Sequence, residues 1–94
     1  MRKETFRYTF DVLAAFPRAR AHARGSGWIT YLAERDGMPY MIVDSRMLAD
    51  RYEEGDPILD NMVTVISFED EIERDDYLAE HERRAERYRE TVSF

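Results

Sequence analysis

A chain of 94 residues with a formal charge of −6 and no cysteine has room for one hydrophobic core and excludes a disulfide framework, thiol catalysis and cysteine-ligated zinc. No apolar run approaches the roughly 18 residues that a membrane helix needs, and the charged opening Met1-Arg2-Lys3-Glu4 lacks the apolar stretch of a signal peptide. A cytoplasmic protein without membrane contact is therefore expected.

Thirteen of the fourteen basic residues are arginine. This reads as the codon bias of a GC-rich genome, which points to a bacterial cell or a phage-infected host; the functional alternative is selection for bidentate contacts to carboxylate or phosphate. The charge is unevenly placed. Residues 1–25 hold six basic side chains against Glu4 and Asp11, whereas residues 26–94 hold eight against eighteen acidic ones. A basic patch on an otherwise acidic molecule follows, or two halves that attract each other within one fold.

In chain order, residues 5–12 alternate. Phe6, Tyr8, Phe10 and Val12 fall to one side, with Arg7, Thr9 and Asp11 to the other, which is the period of a half-buried strand. Phe6, Phe10 and Leu13 also satisfy helical spacing, so this stretch decides between three strands and four. Leu13 to Arg24 reads as an alanine-rich helix of about three turns, with Pro17 in its first turn and Gly25 as a left-handed stop. Arg18, Arg20, His22 and Arg24 would be spread around it.

Trp28 to Asp44 carries the strongest local signal. Two apolar runs flank Asp36-Gly37, and a type I′ turn there needs positive φ at both central residues. That turn sets Arg35 opposite Met38, Ala33 opposite Tyr40, Leu32 opposite Met41 and Tyr31 opposite Ile42. Pro39 cannot donate to a ladder, which suggests an edge strand or a position turned away from a partner.

Asp44 or Ser45 then suits an N-cap and Gly55 a C-terminal stop, with Met47, Leu48, Arg51 and Tyr52 on one face of a short helix. Asp56-Pro57 starts an irregular turn. Met62 to Phe68 is apolar on both faces and reads as a central strand.

Ser67 with Asp70 resembles a capping box for a last, long helix. Glu69, Asp70, Glu71 and Glu73 at its start and Arg83, Arg84, Arg87 and Arg89 at its end match the helix macrodipole. Asp70–Arg74 and Glu80–Arg84 are spaced as i,i+4 ion pairs. Its apolar stripe is thin: Leu78, His81, Ala85, Tyr88 and Val92, with Ile72 and Tyr77 near the start. The expected architecture is α+β, one domain over residues 1–94, in the order β-α-β-β-α-β-α. Its three- to four-stranded, mostly antiparallel sheet would carry helices on one face and a long charged C-terminal helix.

No nucleophile has a positioned base in this sequence, and His22 and His81 lack the spacing of a helical metal pair. No catalytic residue, metal ligand or cofactor is therefore assigned, and a non-enzymatic protein is expected. Glu69, Asp70, Glu71, Glu73, Asp75 and Asp76 crowd one helix start; dispersed around a helix axis, such carboxylates do not converge as a hard cation requires. They could instead stand in for the phosphates of a nucleic acid. With Tyr77 and Tyr88 they form the expected contact surface for a larger protein or nucleoprotein complex, in the manner of an anti-defence inhibitor such as an anti-CRISPR protein. The thin stripe is also compatible with a homodimer.

Arg18, Arg20 and Arg24 with Trp28 nearby could touch phosphates and stack a base, although the overall acidity argues against direct nucleic-acid binding. Glu34 to Ser45, followed by a short helix with Leu48 and Tyr52, resembles the hairpin-then-helix stretch of prevent-host-death antitoxins over about a quarter of the chain. The resemblance implies a small dimeric repressor whose C-terminal segment binds a toxin; the strand at 62–68 departs from that pattern. The alternatives to a protein-binding inhibitor are thus an antitoxin-like or DNA-linked regulator and an oligomeric domain that binds or converts a small ligand.

Overall fold

The computed structural model describes residues 1–92, with side chains as far as His81. Five strands form one antiparallel sheet: β1 (Arg2–Phe6), β2 (Arg20–Gly25), β3 (Trp28–Arg35), β4 (Met38–Asp44) and β5 (Val63–Ser67), in the spatial order β1-β5-β4-β3-β2. Helix α1 (Thr9–Ala15) follows β1, two 3-10 turns (Arg46–Arg51 and Pro57–Asn61) join β4 to β5, and α2 (Glu71–Val92) follows β5. The α+β class and the antiparallel sheet match expectation. The strand number, the element order and the placement of the helices do not.

The hairpin forms in the expected register. Arg35 pairs Met38, Ala33 pairs Tyr40 and Tyr31 pairs Ile42, and Asp36 and Gly37 take φ of 55° and 77°. Pro39 does not mark an edge, because β4 is the middle strand of the sheet. It sits where the ladder to β5 runs out, beyond the Tyr40–Ser67 pair, and its carbonyl accepts the Phe68 N–H at 3.1 Å. β5 is buried on both faces, as its composition requires.

Residues 5–24 fold differently from their expected strand and helix. The stretch 5–12 is split: Thr5 and Phe6 end β1, and α1 begins at Thr9; the helix seats Val12 and Phe16 in the core with Leu13 beside them, while Phe10 of the expected helical set is exposed. Pro17 ends this helix instead of opening one. Residues before proline are pushed out of the helical region, and Phe16 has φ −130° and ψ 69°. The basic run is a strand, not a helix: the helix preference of alanine is worth only tenths of a kcal/mol per residue, and pairing with β3 outweighs it.

Ala21 pairs Tyr31 while Ala23 pairs Thr30, which leaves His22 as the extra residue of a β-bulge. Buried Thr30 fills the gap in the ladder. Its Oγ1 accepts the Ala23 N–H at 3.1 Å and donates to the Ala23 carbonyl at 3.3 Å.

The helices lie on opposite faces of the sheet, not on one. Val12 and Phe16 of α1 pack on Ile42, Val63 and Val65, closed at one side by Leu59 and Met62. Tyr77 and Leu78 of α2 pack on the other face, against Met41, Ile66 and Phe68. Each face alternates along the strands, so β4 and β5 bury both sets of side chains.

The segment expected as a short helix over 45–55 is a 3-10 turn with Met47 exposed and Ala49 and Tyr52 turned inward. Asp44 supports it, as expected of a cap: buried, it accepts the Arg46 N–H at 2.8 Å and the Thr9 hydroxyl at 2.7 Å. Asp56 likewise accepts the Ile58 N–H at 3.0 Å and opens the second turn, with Pro57 at its first position.

Candidate functional site

Three surfaces bear on function, and the sheet positions each of them. The first is a groove of about 300 Å³ on the α1 face. One wall is α1, with Asp11, Val12 and Ala15; the floor is Tyr40, Val65 and Phe16; the other wall is Arg2, Glu4 and Phe6. The last three are alternate residues of β1 and share one face because a strand repeats every second residue. Strand β1 pairs only with β5, so the groove lies directly beside a sheet edge.

At the end of the groove the Arg35 guanidinium lies 4.9 Å from the Phe16 ring centre and 5.6 Å from that of Tyr40, and these rings are 4.9 Å apart. Aromatic faces attract a cation, so the three side chains hold one another. Tyr8 and Phe10 are exposed, Phe10 to 83%, but Tyr8 lines a separate recess with Arg7 and Arg46. The sequence reading missed this site. Its best clue was the hairpin register, which puts Arg35 on the same face as Ala33 and Tyr40.

The second surface is the acidic start of α2. Glu69, Asp70, Glu71, Asp75 and Asp76 are exposed, and Glu73 is half-buried. Three of the six carboxylates are already engaged. Asp70 caps the helix by accepting the Glu73 N–H at 2.8 Å, so the cap is Asp70 with Glu73, not Ser67 with Asp70. Glu73 accepts the Glu69 N–H at 3.2 Å and lies 3.0 Å from the N-terminal ammonium. The ammonium first and the Glu69 N–H second hold the Glu73 carboxyl below its ordinary pKa.

Arg74 turns to its neighbour Asp75, at 3.1 and 3.2 Å, in place of the expected Asp70. Tyr77 faces the sheet: its ring is 5.6 Å from Phe68 and stacks at 6.3 Å on His81, with the Lys3 ammonium 5.4 Å away. Ile72, expected in the stripe, is exposed. Tyr88, the Glu80–Arg84 pair, the four terminal arginines and the rest of the stripe lie outside the described side chains.

The third surface is the basic run, which the bulge divides. Arg20 pairs Leu32 and lies on the α2 face; Arg24 pairs Ile29 and lies on the α1 face. Arg18 precedes the strand. Trp28 covers Gly25, where a Cβ would overlap the indole, and meets His81 edge-on at 5.9 Å. The four residues grouped by sequence therefore do not form one surface. Arg18 and Arg20 share a recess with Arg35 and Arg74 instead.

Among the described residues no group of three or more His, Cys, Asp or Glu side chains is placed to hold a metal ion, and no helix is long and apolar enough to cross a membrane. No family model matches the chain, and neither a curated protein nor a solved structure matches it.

Proposed function

We propose that this chain is a non-enzymatic protein-binding regulator, of bacterial or phage origin, that engages a larger protein through the α1 face and the edge of β1. One observation carries the reading: alternate residues of the edge strand line the apolar groove. An extended segment added to β1 would pair with its unoccupied backbone groups and lower its own alternate side chains over the same groove. Peptide recognition by strand addition works in this way, with the backbone supplying affinity and the pocket selectivity.

The acidic version of this reading, in which the start of α2 occupies a partner's nucleic-acid groove, is the weaker form. Asp70, Glu73 and Asp75 are committed within the chain, which leaves a shorter line of available charge than the sequence suggests. Affinity capture from a bacterial lysate tests the two forms with two variants that retain the wild-type circular dichroism. Phe6→Glu, in the wall of the groove, should lose the captured partner, and Glu69→Lys/Glu71→Lys/Asp76→Lys should keep it. The opposite pattern would move the interface to α2, and a partner kept by both variants would remove the groove from the reading.

A further inference from the structure

The sheet has two edge strands, β1 and β2. The bulge at His22 interrupts β2, and a bulge turns an edge away from further pairing. β1 is regular over its whole length, so its free backbone groups can be assigned. Two bonds flank the β4–β5 ladder: the Ser45 N–H donates to the Met62 carbonyl at 2.8 Å and the Phe68 N–H to the Pro39 carbonyl at 3.1 Å. Backbone groups of successive residues in an antiparallel strand point to opposite neighbours. Met62, Thr64, Ile66 and Phe68 therefore face β4, while Val63, Val65 and Ser67 face β1 and engage Phe6, Glu4 and Arg2. The N–H and carbonyl groups of Lys3 and Thr5 are left pointing out of the sheet.

The side chains sort by the same parity. Arg2, Glu4 and Phe6 wall the groove on the α1 face, and Lys3 stands over the Tyr77 ring on the α2 face. Arg2 and Glu4 are joined at 3.3 Å; among the described residues Lys3 makes no ion pair. A second copy of β1 is a poor occupant of this edge. Antiparallel pairs centred on Lys3, Glu4 or Thr5 set Lys3 against Lys3, Glu4 against Glu4, or Lys3 against Arg7, and like charges directly opposite are destabilising.

We propose that the occupant of the β1 edge is an antiparallel strand of a different protein, carrying an apolar residue and, three positions later, an acidic one. This rests on the strand docking described above and adds its register and chemistry. The apolar residue lies opposite Phe6 and the carboxylate opposite Lys3, the one cation of the strand that lacks a carboxylate. The two residues between them lie opposite Thr5 and Glu4. Backbone hydrogen bonds run to Lys3 and Thr5, and the residue opposite Glu4 turns its own N–H away.

The test is titration of the full chain with the capped hexapeptide Thr-Ile-Thr-Thr-Glu-Thr, followed by backbone amide NMR. The Lys3 and Thr5 amides should shift. The same peptide with lysine in place of glutamate should bind about five-fold more weakly, the scale of a cross-strand charge pair, and Lys3→Glu should invert that preference. N-methylation of the peptide residue opposite Thr5 should abolish binding, and N-methylation of the residue opposite Glu4 should not. Shifts in β1 that are indifferent to the glutamate–lysine exchange, or the reverse response to N-methylation, would overturn the register and chemistry and leave strand docking standing. No shift in β1 with any of the peptides would overturn docking at this edge as well. Shifts of Lys3 and Thr5 on raising the protein concentration alone would give the edge to a second copy and overturn the proposal.

Discussion

Asp44 is the one buried carboxylate among the described residues, 7% exposed, and both its oxygens are occupied. One accepts the Thr9 hydroxyl at the start of α1, and the other accepts the Arg46 N–H at the start of a 3-10 turn. A single side chain thus ties two segments to the end of β4. Thr9→Val keeps the shape and leaves the carboxylate one donor short, which should cost about 1.5–3 kcal/mol. The shift in urea midpoint at unchanged slope measures it.

Glu73 gives a pH signature. Its folded pKa is depressed, chiefly by the N-terminal ammonium, so its contribution is present above the unfolded carboxylate value of about 4.3 and is lost as pH falls through the lower folded value. The stability gap between wild type and Glu73→Gln should therefore be constant at neutral pH and close in acid, as denaturant midpoints between pH 7 and pH 3 would record. The Asp44 cap was legible because capping is local. The engagement of Glu73 was not, because Met1 is brought to α2 only by the sheet.

Among the elements, the β2–β3 connection has the tightest fit. The Trp28 indole lies over Gly25, and no other residue type leaves that space open. Gly25→Ala must push the indole away from His81. The chain has one tryptophan, so its fluorescence should move to longer wavelength as solvent reaches the ring, with a stability loss of about 1–3 kcal/mol, the cost of overpacking. The same region shows where sequence reading fails. Arg18, Arg20, His22 and Arg24 follow every second residue, yet the alanines between them look helical and Pro17 can either open or end a helix. What settles the matter is the strand next door, and neighbours in a sheet are not written into a strand's own residues. The β3–β4 hairpin was legible to the register because its partner is two residues away.

For the whole molecule, two cores share one sheet. Phe68 sits in the α2-side core at 1% exposure, against Tyr77. Phe68→Ala should cost about 3–5 kcal/mol, a large part of the stability of a domain this size. Because Met41 and Ile66 belong to the same strands that carry the α1-side core, loss of one layer should bring down the other. Helix and sheet signals in thermal circular dichroism should stay coincident at a lower midpoint. The two-sided character of Met62 to Phe68 already implied cover on both faces of β5; its second partner, β1, had no local trace.

The place of β1 at the outer side of β5 sets a timetable for the nascent chain. Strands β2, β3 and β4 form a meander whose turns close as soon as they leave the ribosome. β1 emerges first and pairs last, since Arg2 meets Ser67, 65 residues later. At roughly 5–20 residues per second of synthesis, the first strand waits several seconds for its neighbour, and during that time the edge of β4 stands open where β5 will insert. A chain stalled before residue 63 would hold a three-stranded sheet with α1 unseated and a buried-to-be apolar edge in water, so the interval between the synthesis of β4 and that of β5 is when this protein most needs shielding from its own kind.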